Sequence, residues 1–200
     1  MIKIIVLIAA FALAFPVFGQ ENNPARHPSY RPTKKELEIE TKNHNCIKKT
    51  KNSFTARLKN YPFNLAAQIQ IVSFENNGID SLPRLNDTIC YSKLKEVRTL
   101  TFTQVDSLTD IFYNYGFGGP VYTISTTNCY LPRNAILFLD SSGAVFEFIE
   151  ICFECEKTSK SSEKISLGEM CDQKMDMLKR VFEKRGIKYG ISAGLTIEED

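Results

Sequence analysis

The sequence predicts an α+β fold: a mainly antiparallel sheet with a central hairpin and two helices packed on one face. Two apolar runs, Ala135 to Asp140 and Ala144 to Cys152, flank the turn Asp140-Ser141-Ser142-Gly143, with Asp favoured first and Gly last. Two stretches near Thr103 and Ser166 carry apolar residues at helical spacing. Strands interrupted by two helices, with a clear hairpin, belong to the α+β class.

Residues 1–19 read as a signal peptide. Lys3 supplies a positive start, IIVLIAAFALAF is an apolar run of leader length, and Val17-Phe18-Gly19 resembles a cleavage site. The run is shorter than the roughly 20 apolar residues of a membrane span, and no later stretch is long enough. No transmembrane span is therefore expected in the mature chain, which would begin at Gln20. No cysteine lies near the cleavage point to carry a lipid anchor. Residues 20–33 (QENNPARHPSYRPT) are polar, with three prolines, and read as a mobile tail. Residues 34–195 are long enough for a single α+β domain with its own core. Residues 196–200 form an acidic tail.

The formal charge is +2, and loss of Lys3 with the leader lowers it by one. This lacks the clear basic excess of an electrostatic nucleic-acid binder. Six cysteines in an exported chain point to an oxidising compartment, periplasmic or extracellular. Fifteen full pairings are open to six cysteines.

Thr33-Lys34-Lys35-Glu36 has capping-box character, although Glu38 to Thr41 fits a strand equally well. Gln68 to Phe74 alternates Ile69, Ile71 and Ser73 against Gln70, Val72 and Phe74, a strand with unequal faces. Asn76-Asn77-Gly78 ends it. Asn86-Asp87-Thr88 matches the glycosylation acceptor pattern, relevant only in a host with that machinery. Glu96 to Thr101 is a second strand. A helix starts at Thr103-Gln104-Val105-Asp106, with threonine as cap and Asp106 at the positive end of the dipole. Val105, Leu108, Ile111, Phe112 and Tyr115 make its buried stripe, and Gly116 is expected at the left-handed C′ position.

Phe117-Gly118-Gly119-Pro120 is a reversal. A phosphate-cradling role would need a strand before it and a helix after it, the opposite of the order here. Val121 to Ser125 is a strand. In the second hairpin strand, Phe146 and Phe148 share one face, and Val145, Ile149 and Ile151 the other. Such two-sided burial is expected of a central strand. Glu156 to Glu163 is a charged loop. Ser166-Leu167-Gly168-Glu169 forms a capping box opening a helix that ends at Gly186, with Cys171, Met175, Leu178 and Phe182 facing inward. Ile187 to Tyr189 is a short edge strand.

The chemistry of the chain lies in its cysteines. Cys152-Phe153-Glu154-Cys155 is a C-x-x-C, but it closes a strand instead of opening a helix, whose N-terminus would activate a thiol. Fully extended, its two Cα atoms would stand about 10 Å apart, beyond the roughly 7 Å limit for a bridge. They join each other only if the chain turns sharply at Phe153 and Glu154. The pairing expected otherwise is Cys155 with Cys171, Cys129 with Cys152, and Cys46 with Cys90 as a third bridge. Structural disulfides, a redox-active pair, free buried thiols, and a zinc site of Cys129, Cys152, Cys155 and Cys171 are all open readings.

Two polar residues are further candidates. Glu150 shares a face with Phe148 and Cys152, where a carboxylate near aromatic groups can serve as acid or base, or simply pair with Arg133 or a lysine. Arg133 could clamp an anion with its planar fork or bond loop carbonyls. The only histidines, His27 and His44, lie in the N-terminal part, which disfavours Cys-His and Ser-His-Asp hydrolases. There is no H-E-x-x-H and no P-loop lysine. No cofactor, metal or catalytic residue is assigned.

The run Cys129-Tyr130-Leu131-Pro132-Arg133-Asn134-Ala135 with Phe138 and Asp140, then Glu150-Ile151-Cys152-Phe153-Glu154-Cys155 and Gly168-Glu169-Met170-Cys171, resembles a group of uncharacterised exported bacterial proteins. The resemblance covers roughly residues 68–190. It implies no activity or catalytic residue, and groups the last four cysteines as a set that leaves out Cys46 and Cys90. The expected function is a disulfide-stabilised binding or structural module of the cell envelope with an envelope or extracellular partner. The alternatives are a cysteine-dependent redox activity at the C-x-x-C and thiolate zinc binding.

Overall fold

A computed structural model describes residues 31–76, 82–122 and 128–191. The leader, the acidic tail, most of the polar tail, and residues 123–125 of the strand expected after Pro120 lie outside these residues. Val121 and Tyr122, which are described, are not in a strand.

The elements run α1 (Lys34–His44), β1 (Cys46–Lys48), α2 (Phe54–Arg57), β2 (Gln68–Phe74), β3 (Arg84–Leu85), β4 (Thr88–Ile89), β5 (Leu94–Thr99), α3 (Phe102–Asn114), β6 (Tyr115–Phe117), β7 (Asn134–Leu139), β8 (Val145–Cys152), β9 (Lys157–Lys160) and α4 (Lys174–Lys184). Five strands form an antiparallel sheet in the order β5-β2-β7-β8-β9. The α+β class and the antiparallel sheet are as the sequence predicts.

Every residue of β7 is buried, which sets it at the sheet centre. Its hairpin with β8 closes on Asp140, whose Oδ1 accepts from Ser142 N at 2.8 Å and Ala144 N at 3.1 Å. These donors hold the Asp140 carboxyl below the usual carboxylate range, the Ser142 hydroxyl contributing most. Gly143 takes φ +84°, the left-handed conformation that turn needs.

The pleat sorts side chains into two cores. On one face Ile69, Ile71, Ile136, Phe138, Ile149 and Ile151 meet Leu108 and Phe112 of α3 and Leu178 and Phe182 of α4. On the other, Val72, Phe74, Ala135, Leu137 and Leu139 lie under Leu82 and Ile89. Each fully buried side chain of this kind contributes about 1.5–3 kcal/mol. Phe146 departs from the alternation. A register shift opposite Phe138 and Leu139 turns it to the helix side, while Phe148 stays on the other.

Five local expectations are corrected. Helix α3 starts at Phe102 with Thr101 as its cap, two residues before the expected Thr103 cap, and the Gln104 side chain accepts from Thr101 N at 2.9 Å. Gly116 is not a C′ residue: Tyr115 leaves the helix extended (φ −105°, ψ 142°), and Gly116 pairs with Ile47 in a β1–β6 ribbon. Helix α4 starts at Lys174 instead of after Ser166. Gly168 sits at φ +66°, where a Cβ would lie 2.2 Å from the Phe112 carbonyl, and Glu169 reaches across to Lys49. Finally, Lys157–Lys160 is an edge strand despite its charge, and Ile187 to Tyr189 is not a strand.

Candidate functional site

Strand β8 delivers Glu150 and Cys152 to the same end of the hairpin, and the chain then reverses through residues 153–156 into β9. Glu156 completes that reversal at φ +51°. Phe153 anchors it against Phe182 of α4, ring centroids 5.3 Å apart. The C-x-x-C therefore occupies a sharp turn, yet its cysteines do not pair. Cys155 bonds Cys129, their Cα atoms 5.6 Å apart. Cys152 stays a thiol, 1% exposed, and its Sγ accepts the Cys155 N–H at 3.3 Å. Cys129 is exposed and Cys155 half-buried.

Glu150 sits beside this group, 5% exposed. One carboxylate oxygen accepts the Leu82 N–H, and the other accepts the Tyr130 hydroxyl at 3.1 Å. Burial, reinforced by the Glu150 charge, pushes the Tyr130 phenol up. Tyr130 adjoins Cys129 in the chain, so the carboxylate helps seat the segment that carries the bridge. Arg133 Nη1 lies 3.3 Å from Glu154 Oε2, across the same turn. Cys129, Cys152, Cys155, Glu150 and Arg133, all singled out from the sequence, are thus brought together. What they assemble is a buried thiol beside a disulfide, seated by a buried carboxylate.

Cys171 is not part of it. The segment ahead of α4 docks on the N-terminal segment instead. Asp172 N donates to the His44 carbonyl at 3.1 Å, Cys46 N donates to Gln173 Oε1 at 2.7 Å, and Lys49 Nζ pairs with Glu169 Oε1 at 2.9 Å. Glu169 also accepts Phe117 N at 2.8 Å, and the Lys49 contact leads the causes that hold its carboxyl low. These contacts bring Cys171 to Cys46, with Cα atoms 5.1 Å apart across a sequence separation of 125.

All three expected bridges are therefore corrected. Cys155 does not pair with Cys171, because Cys171 is held at Cys46. Cys129 does lie at the Cys152 end of the hairpin, but its partner is three residues on, at Cys155. Cys46 does not pair with Cys90, a thiol that follows the β3–β4 hairpin on the opposite face of the sheet from the helices. With Cys171 committed to Cys46, the four-thiolate zinc arrangement is not built. Among the described residues no group of three or more His, Cys, Asp or Glu is placed to hold a metal. No described helix is long and apolar enough to cross a membrane.

Several polar residues that position these segments escape sequence inspection. Lys174 is fully buried, and its Nζ donates to the carbonyls of Phe112 (3.1 Å), Tyr115 (3.0 Å) and Leu167 (3.3 Å). It covers the Phe112 carbonyl in the last turn of α3 and the Tyr115 carbonyl just beyond it, at the helix end where the sequence predicts Gly116 as the cap. Burial brings its pKa down to about 8. Arg57, 6% exposed, reaches Thr109 Oγ1 at 3.2 Å, the Asn52 carbonyl and the Asp106 carboxylate. Asn114, 2% exposed, accepts from Thr50 Oγ1 at 2.7 Å and Asn52 N at 2.9 Å. Both fasten the segment after β1 onto α3. At the other end of the sheet, Glu147 accepts the hydroxyls of Tyr61 and Ser161.

The outer face carries an open cavity of about 790 Å³ between the β3–β4 hairpin and β5. Arg84, Lys93 and Lys95 line it together with Glu75 and Asp87. Asn86 and Asp87 form the exposed hairpin tip, at φ 49° and 60°, as a two-residue type I′ loop requires. The glycosylation acceptor pattern lies on that tip. The chain matches no protein-family model, no curated protein and no solved structure.

Proposed function

We propose that the chain is an exported, disulfide-stabilised binding or structural module of the cell envelope, acting in the periplasm or outside the cell. The observation that carries this reading is the pair of bridges joining four of the six cysteines. Such bonds persist where the surroundings are oxidising and are kept reduced in most cytosols. The leader-like first 19 residues lead to the same compartment. The mixed-charge cavity beside the β3–β4 hairpin is the surface offered to a partner. Its interspersed cations and carboxylates suit a polar partner carrying both signs of charge.

Expression of the full chain in a secreting bacterial host tests the reading. The expected product lies in the exported fraction, begins at Gln20, and carries two bridges. Retention in the cytosol with its leader attached and six reduced cysteines would overturn it.

A further inference from the structure

The arrangement of the three cysteines points beyond a static staple. A disulfide is broken by a thiolate that attacks one of its sulfurs, so access of a thiol to the bond decides whether exchange occurs. Cys152 lies beside the bridged residue. The amide that touches its Sγ at 3.3 Å belongs to Cys155 and stands three covalent bonds from the bridged Cys155 sulfur. The β8–β9 reversal has already made the sharp turn that a Cys152–Cys155 bond requires. Cys152 is 1% exposed, which shields it from outside reagents, but an attack within the chain needs no solvent path.

We infer that Cys129, Cys152 and Cys155 form a thiol–disulfide exchange site, in which Cys152 displaces Cys129 as the partner of Cys155 and so delivers a thiol to the surface. The Cys152 thiol gives up its proton, and its sulfur attacks Cys155 Sγ. The Cys152–Cys155 bond forms as the Cys129–Cys155 bond breaks. Cys129 leaves as the thiolate and takes up one proton. The Cys152 lone pair makes the new bond, the old bond's pair leaves on Cys129, one thiol replaces another, and no external oxidant or reductant is consumed. The amide N–H aimed at Cys152 Sγ is a donor suited to the thiolate that forms there when the proton leaves.

The exchange changes what the surface presents. The thiol moves from a buried position to an exposed one, because Cys129 is exposed and Cys152 is not. Once uncovered, Cys129 is a nucleophile for an external disulfide. It attacks one sulfur of that disulfide, bonds to it, and releases the other as a thiol. The chemical class this site takes is therefore a disulfide-bearing molecule. Glu150 is a positioning residue here, since through Tyr130 it seats the segment that carries Cys129. The inference concerns the turn alone and is independent of what the module binds.

Iodoacetamide treatment of the folded, unreduced Cys90→Ala chain, followed by peptide mapping, tests the exchange. The expected result is slow alkylation of Cys129 together with a new Cys152–Cys155 bridge, while Cys46–Cys171 persists. In Cys90→Ala/Cys152→Ser, alkylation of Cys129 is lost. Oxidised glutathione in place of iodoacetamide adds one glutathione at Cys129. Alkylation of Cys152 with Cys129–Cys155 intact, or no alkylation before unfolding, would overturn the inference. The map of the Cys90→Ala chain decides this even if the second variant does not fold.

Discussion

The backbone amide of Cys155 donates to Cys152 Sγ over 3.3 Å, although the Cys155 sulfur itself is bonded to Cys129. The C-x-x-C is thus split between a thiol and a bridge. The other bridge, Cys46–Cys171, serves a separate purpose: it ties the N-terminal segment to the start of α4.

The two bridges should differ in their contribution to stability. Chain-entropy reasoning gives about 5 kcal/mol for the loop closed by Cys46–Cys171 and about 3.5 kcal/mol for the shorter one closed by Cys129–Cys155. Urea unfolding of Cys46→Ala/Cys171→Ala and of Cys129→Ala/Cys155→Ala should show the first pair as the more destabilised. Equal midpoints, or the reverse order, would refute that ranking.

Lys174 sets a pH signature. Its folded pKa, about 8, lies below its ordinary 10.5. Between those values the unfolded chain binds more protons, so this group's contribution to stability rises as pH increases through that window. Wild type should gain on Lys174→Met by up to about 3 kcal/mol across it, at 1.36 kcal/mol per pKa unit. Denaturant midpoints at a series of pH values check this. A difference that stays flat or narrows would contradict it.

Glu150 should matter through its two donors. Glu150→Ala leaves the Leu82 N–H and Tyr130 O–H without their acceptor, at a cost of about 2–4 kcal/mol. Glu150→Gln keeps an acceptor and should cost less. It should also lower the Tyr130 phenol toward its ordinary value without restoring it, because burial is the larger cause. Titration followed at the Tyr130 ring by residue-resolved NMR reads this, and an unchanged Tyr130 curve in Glu150→Gln would count against the contact.

Arg57 is held by a side-chain hydroxyl, a backbone carbonyl and a carboxylate at once. Its replacement by Met should destabilise the fold by about 3 kcal/mol. Lysine should not restore that loss, because an ammonium cannot reproduce the planar fork. Full recovery in Arg57→Lys would show that charge alone suffices.

Much of this fold is legible in the chain. The β2 alternation follows from Ile69 to Phe74, and the central hairpin follows from Asp140 and Gly143 between apolar runs. The illegible parts share a physical cause: their partners are remote in sequence. Glu169 looks like a capping residue for Ser166 until Lys49 and the Phe117 amide claim it. Lys174 looks like a solvated helix residue, because nothing local reveals the three carbonyls waiting for it. Lys157–Lys160 lacks any apolar signal and becomes a strand only because the turn lays it beside β8. The site followed the same pattern. The sequence identified the cysteines, Glu150 and Arg133, but the bridge partners depended on how the segment before α4 docks.

Peptide mapping of the unreduced, acid-quenched chain is the most direct test of the whole account. It should find Cys46 joined to Cys171 and Cys129 joined to Cys155 as the dominant bonds, with Cys90 and Cys152 recovered as thiols. Recovery of Cys171 bonded to Cys155 or Cys129, or of a chain with no bridges, would contradict it.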